Sequence, residues 1–135
     1  TIKMDLNAFM ENYANEIGGT YSEYDSRTSI IIVPLPDERF QTVLGKLKHS
    51  SRYDRLGIEF TSKVCRFESD LDLKMLLQEN ANLNHAKFTI LDDFIHVEAS
   101  SFIESATEQL LKEIIQEVAN VADEFEFKLT GADVH

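Results

Sequence analysis

The sequence predicts an α+β fold, a mainly antiparallel sheet with flanking helices in the order α-β-β-β-β-α-β-β-α. Three observations predict it. Apolar residues recur at three- and four-residue steps near both ends of the chain and once in its middle. Between those segments run stretches in which apolar and polar residues alternate. The breaks between neighbouring alternating stretches are short and rich in turn formers, which folds them back antiparallel. No repeat, low-complexity tract or linker divides the chain, so residues 1–135 read as a single domain.

Each element has a local reason. Asp5 is an N-cap for a helix with Leu6, Phe9, Met10, Tyr13 and Ile17 on one face, and Gly18-Gly19 ends it. Thr20–Tyr24 and Ser29–Val33 form a hairpin across Asp25-Ser26-Arg27. The run Ile30, Ile31, Ile32, Val33 suits a central strand covered on both faces, or on one face with a dimer contact on the other. Pro34 and Pro36 should stop it, because proline removes a ladder donor.

Phe40–Lys48 gives mixed signals: Phe40, Val43, Leu44 and Leu47 have helical spacing, yet Gly45 weakens a helix, and strand is the preferred reading. Leu56–Cys65 alternates clearly. Asp70 is expected to cap a helix from Leu71 to about Asn80, with Leu73, Leu76 and Leu77 inward. Lys87–Leu91 and Phe94–Ala99 make a hairpin across Asp92-Asp93. A long helix is then expected from Ile103 to Leu129, ended by Gly131.

The hydrophobic fraction of 43%, with two prolines and five glycines, suits a packed core and leaves no room for a disordered bulk. No apolar run is long enough to span a membrane, and Thr1 to Ile17 lacks the pattern of a secretory leader. Cys65 is the single cysteine, which excludes an internal disulfide and fits a reducing, cytoplasmic setting. Its place on an alternating strand marks it as a small buried hydrophobe.

The formal charge is −11, unevenly spread. Residues 1–68 are nearly balanced, with nine basic against ten acidic side chains, whereas residues 104–135 carry two against eight. That field disfavours nucleic acid and anionic membranes and favours basic partners.

The phrase LLQENANLNHAKFTILDDFIHVEAS, together with the element order, resembles the YbjN family, whose fold looks like that of type III secretion chaperones. The matching residues are Leu76, Leu77, Asn80, Leu83, Phe88, Ile95 and the pair Ala122-Asp123. The match covers Leu71 to His135, and the earlier strands only in order and length. It implies a secretion-chaperone-like fold and a small acidic homodimer that binds other proteins, or a regulatory relative of such a chaperone. Members of that family are described as sensory or stress regulators.

No catalytic, cofactor or metal constellation stands out. His49, His85, His96 and His135 lack the spacing of a helical zinc site. Asp70-x-Asp72 and Asp92-Asp93 are fragments of a calcium loop without its full pattern, and cap and turn preferences explain both. Gly18-Gly19 has no phosphate-loop context. Lys46, Lys48, Arg52 and Arg55 form a local basic patch, read as a solvated hairpin that could also meet the acidic helix of a second subunit. On the long helix the glutamates lie mostly opposite the apolar stripe, with Glu108 and Lys112 as an i,i+4 pair.

The expected interface residues are Ile30 and Ile32 on the apolar strand and Leu111, Ile115 and Ala122 on the long helix. These last lie beside the stripe Leu110–Ile114–Val121–Phe125, and should form an exposed apolar strip if the sheet covers only that stripe. The expected function is a non-catalytic protein-binding domain, chaperone-like or regulatory, acting as a homodimer. The alternatives are a small-molecule sensor or enzyme with a pocket between helix and sheet, and an accessory or immunity-type protein with a basic partner.

Overall fold

The first helix, α1 (Leu6–Ile17), starts where the Asp5 carboxylate accepts the Ala8 N–H at 3.2 Å. It stops at Gly18, whose φ of 72° is a left-handed turn that glycine adopts without a Cβ clash. The computed structural model describes residues 4–130, so the expected helix end at Gly131 and the residue His135 lie outside the described part.

Four strands follow: β1 (Thr20–Asp25), β2 (Thr28–Leu35), β3 (Arg39–Ser50) and β4 (Arg55–Arg66). Helix α2 (Leu73–Glu79) and a 3-10 turn (Asn80–Asn82) lead into the hairpin of β5 (Lys87–Leu91) and β6 (Phe94–Phe102). Helix α3 (Glu108–Thr130) closes the described chain. The predicted element order is the observed one. All neighbouring strands are antiparallel, in the order β1-β2-β3-β4-β6-β5.

The turns explain the registers. Asp92 and Asp93 both have positive φ, which is the twist that the two-residue β5–β6 hairpin needs, and Asp37 and Glu38, also at positive φ, turn the three-residue connection between β2 and β3. Strand β3 takes Phe40–Lys48 as a strand for a packing reason. Gly45 lies under α1, and a Cβ there would come within 2.9 Å of Met10 Cε and 3.0 Å of the Phe60 ring.

Both α1 and α3 pack on one face of the sheet, α1 over β1–β3 and α3 over β2, β3, β4 and β6. Ile31, Val33, Val43, Ile58, Phe60, Val64 and Val97 point into that layer and are fully buried. Beyond the Leu44–Thr61 pair, β3 and β4 separate. The Gln41 amide bridges the gap, donating to Ser62 Oγ at 2.9 Å and to the Lys63 carbonyl at 3.0 Å.

Three boundaries differ from expectation. Strand β2 runs through Pro34 to Leu35, because β1 pairs only as far as Ile32 and Pro34 sits where β2 is already an edge. Asp72, not Asp70, caps α2, accepting the Met75 N–H at 3.0 Å. The long helix begins at Glu108 rather than Ile103, since β6 continues to Phe102 and Thr107 supplies the cap, its Oγ1 accepting the Leu110 N–H at 3.1 Å.

Candidate protein-binding surface

The long helix does not offer the exposed strip expected of it. Leu111, Ile115 and Ala122 have no exposed surface, while Leu110 and Val121 lie at the margin. Periodicity fixes the spacing of a stripe, not which neighbour it faces. Here the sheet-facing line runs Leu111, Ile115, Val118, Ala122, Phe125, and of the large apolar side chains on this helix Phe127 alone among the described residues is exposed. Phe125 meets Phe88 edge to face at 4.8 Å between ring centres.

Polar contacts tie α3 to its flanks. Gln116 donates to Tyr13 Oη at 2.9 Å, and Lys112 pairs with Glu16 at the same distance, where Glu108 had been the expected partner. Asp123 is buried and accepts from Arg39 at the start of β3, with 3.0 Å between Nη2 and Oδ2. The Ala122-Asp123 pair is therefore structural.

Glu117 clamps the loop before β5. Its carboxylate accepts the backbone N–H groups of Asn84, His85 and Ala86 at 2.9, 2.6 and 2.6 Å. Burial pushes this carboxyl up, but the three N–H donors and nearby His85 outweigh it and hold it below the usual carboxylate range. Asn80 Oδ1 accepts the Phe88 N–H at 2.7 Å, which gives the first of the clustered asparagines its role.

The remaining titratable groups mostly pair locally, and those at the β3–β4 hairpin end gather round one groove. His49 pairs with Asp54 at the surface, 2.8 Å away, and His85 lies 3.7 Å from Glu113. Among the described residues no group of His, Cys, Asp or Glu is arranged to hold a metal ion. Cys65 is buried, and burial, then the charges of Glu126 and Glu68, push its thiol up from its ordinary value.

What the subunit leaves exposed lies elsewhere. Between α2 and β5 is an apolar groove of about 290 Å³, lined by residues that include Leu73, Leu77, Phe88 and Ile90, with no titratable side chain. Leu77 is 71% exposed, and Ile90 and Leu91 on the outer strand are 52% and 54% exposed. Strand β5 is an edge of the sheet, unbulged and without proline. Sequence reasoning missed this site, although adjacent Leu76 and Leu77 on one helix cannot share an inward face.

The second exposed feature is the sheet face opposite α1 and α3. Ile30 and Ile32 lie there, half-buried, with Leu44 as the cross-strand partner of Ile30. At the β3–β4 hairpin end is a groove of about 510 Å³ whose lining includes Lys48, His49, Arg52, Tyr53, Glu59 and Phe102.

Solved structures share this arrangement. The chain superposes on one in the heterodimeric ExoU-SpcU complex from the type III secretion system of Pseudomonas aeruginosa, with a TM-score of 0.64 at 13% identity, covering 94% of this chain and 99% of that one. The fold is type III secretion chaperone-like. The ExsC-ExsE complex contains a similar chain, with a TM-score of 0.55 at 10% identity and coverage of 95% and 97%. So does the HopA1-SchA chaperone–effector complex, at 0.53 and 14%, covering 94% and 97%. At such identities the likeness is one of fold. No protein-family model and no curated protein matches the sequence. Among the described residues no helix is long and apolar enough to cross a membrane.

Proposed function

We propose that this chain is a non-catalytic protein-binding domain, chaperone-like or regulatory in the manner of the YbjN resemblance, that works in the cytoplasm as a homodimer. One observation carries the reading. An edge strand, β5, capped by Asn80 only at the Phe88 N–H, lies beside an apolar groove lined by exposed Leu77 and Ile90, with exposed Leu91 on its other face. Edge strands are normally blunted by charge, proline or a bulge, and β5 carries only Lys87. Pairing β5 with its copy would place Lys87 of each strand near Asp92 of the other, a self-complementary arrangement. Likeness of fold to partners in chaperone–effector complexes supports the same reading.

Light scattering tests it. The wild-type chain should have twice the monomer mass, and Leu77→Asp with Ile90→Asp should give a folded monomer. A wild-type chain that stays monomeric overturns the dimer. A sensor or enzyme pocket between helix and sheet has less support, because the groove between α2 and the sheet has only apolar side chains, Asn80 and Thr89 in its lining, and the polar groove lies instead at the β3–β4 hairpin end.

A further inference from the structure

We infer that the uncovered face of the sheet is the site that takes the partner, and that it selects an acidic, apolar-containing segment of polypeptide. The inference rests on the protein-binding reading above and goes on to state the chemistry of what is bound.

The charge of the molecule is segregated by layer. Strand register places Lys46, Lys48, Lys63, Arg66 and Lys87 on the uncovered face, against Asp25, Glu59 and Glu98. The opposite layer exposes Glu11 and Glu16 on α1 and Glu108, Glu113 and Glu124 on α3. In a chain of charge −11 this face is locally cationic. Its three acids are already used: Asp25 Oδ1 accepts the Arg27 N–H at 2.8 Å, Glu59 pairs with Lys48 at 3.4 Å and Glu98 with Lys87 at 3.9 Å. Lys46, Lys63 and Arg52 have no carboxylate within ion-pairing distance among the described residues.

The same face has apolar surface. Ile30, Ile32 and Leu44 form its β2–β3 side, and Phe40 beside them is 59% exposed. Tyr53 and Phe102 border the hairpin groove, their rings edge to face at 5.7 Å. A segment with carboxylates for the lysines and Arg52, and apolar side chains for these surfaces, meets both.

Nucleic acid fits less well. The rings that could stack bases already carry cations: Arg55 lies 3.9 Å from the centre of Phe102 and Lys63 lies 4.1 Å from that of Phe94.

Fluorescence anisotropy on the full chain tests this with a labelled peptide of repeated Glu-Leu-Asp-Phe. Three comparison probes are its Gln/Asn version, its Lys version and an oligo-dT strand. The acidic peptide should bind about tenfold more tightly than the Gln/Asn peptide and weaken as salt rises. The combined substitutions Lys63→Glu and Arg52→Glu, both at exposed positions, should remove that preference while the dimer persists in light scattering. Equal binding of the acidic and Gln/Asn peptides overturns the inference and leaves the protein-binding reading standing. Tighter binding of the Lys peptide or of oligo-dT overturns it too. A monomeric chain that binds none of the probes overturns both.

Discussion

The two edges of the sheet are built differently. At the β1 edge the register shifts by a bulge between Glu23 and Asp25, and both acids are exposed. Asn7 of α1 reaches over, donating to Glu23 Oε1 at 2.8 Å and to the Asp25 carbonyl at 3.1 Å, so that an edge acceptor is satisfied inside the subunit. At the β5 edge there is no bulge: Asn80 Oδ1 caps the Phe88 N–H at 2.7 Å, and beyond that cap two aliphatic residues, Ile90 and Leu91, are exposed. Each edge has one backbone group held by an asparagine, but β1 adds a bulge and exposed acids where β5 leaves apolar surface. The contrast teaches that surplus apolar surface is judged by neighbours and not by composition. Helix α3, much longer than α2, buries most of its apolar residues and leaves Phe127 exposed, while α2 and β5 leave Leu77, Ile90 and Leu91 at the surface.

Three substitutions break or sharpen that contrast. The largest effect belongs to the interior. Leu111→Ala should lower stability by about 2–5 kcal/mol in urea unfolding, as expected for a fully buried leucine, and leave the association constant of the folded chain unchanged. A normal stability with lost association would place the interface on α3 after all.

Next comes Glu117, which holds the loop leading to the open edge. Its folded pKa lies below the unfolded one, so its contribution is complete above the ordinary carboxylate range and fades as pH falls through the depressed value. Glu117→Ala should cost about 1.5 kcal/mol at neutral pH, at the low end for charged hydrogen bonds because the group is half-buried. Unfolding midpoints measured down the acid limb should converge for the two proteins. A constant gap at all pH values would remove the electrostatic account of the clamp.

The smallest effect belongs to the closed edge. Asn7→Ala should cost about 1 kcal/mol, the value of an ordinary hydrogen bond. It should speed amide exchange in β1 without altering exchange in β5.

Much of this fold was legible in the sequence, and the limits have physical causes. Hairpin alternation and turn pairs such as Asp92-Asp93 are local signals, so strand order along the chain and the end of α1 at Gly18 could be read directly. The start of α3 could not, because the apolar pattern of β6 runs into that of the helix and only Thr107 separates them. Nor could the facing of α3, since Leu110 and Leu111 differ by one helical step and only the positions of α1 and β4 decide which is buried. The uncovered cationic face was half visible: Lys46 and Lys48 alternate in β3 as Glu59 and Lys63 do in β4. Registering the strands against each other was needed to bring them to one surface. Ile30 and Ile32 lie on that surface as candidates for contact, whereas Leu111, Ile115 and Ala122 do not reach it.

Hydrogen–deuterium exchange of the two edge strands at increasing protein concentration tests the open-edge claim most directly. The outward β5 amides beyond Phe88, whose N–H Asn80 already holds, should become steadily more protected as concentration rises, while those of Thr20–Asp25 exchange at a constant rate. Exchange in β5 that ignores concentration, or protection that develops at β1 instead, would contradict it.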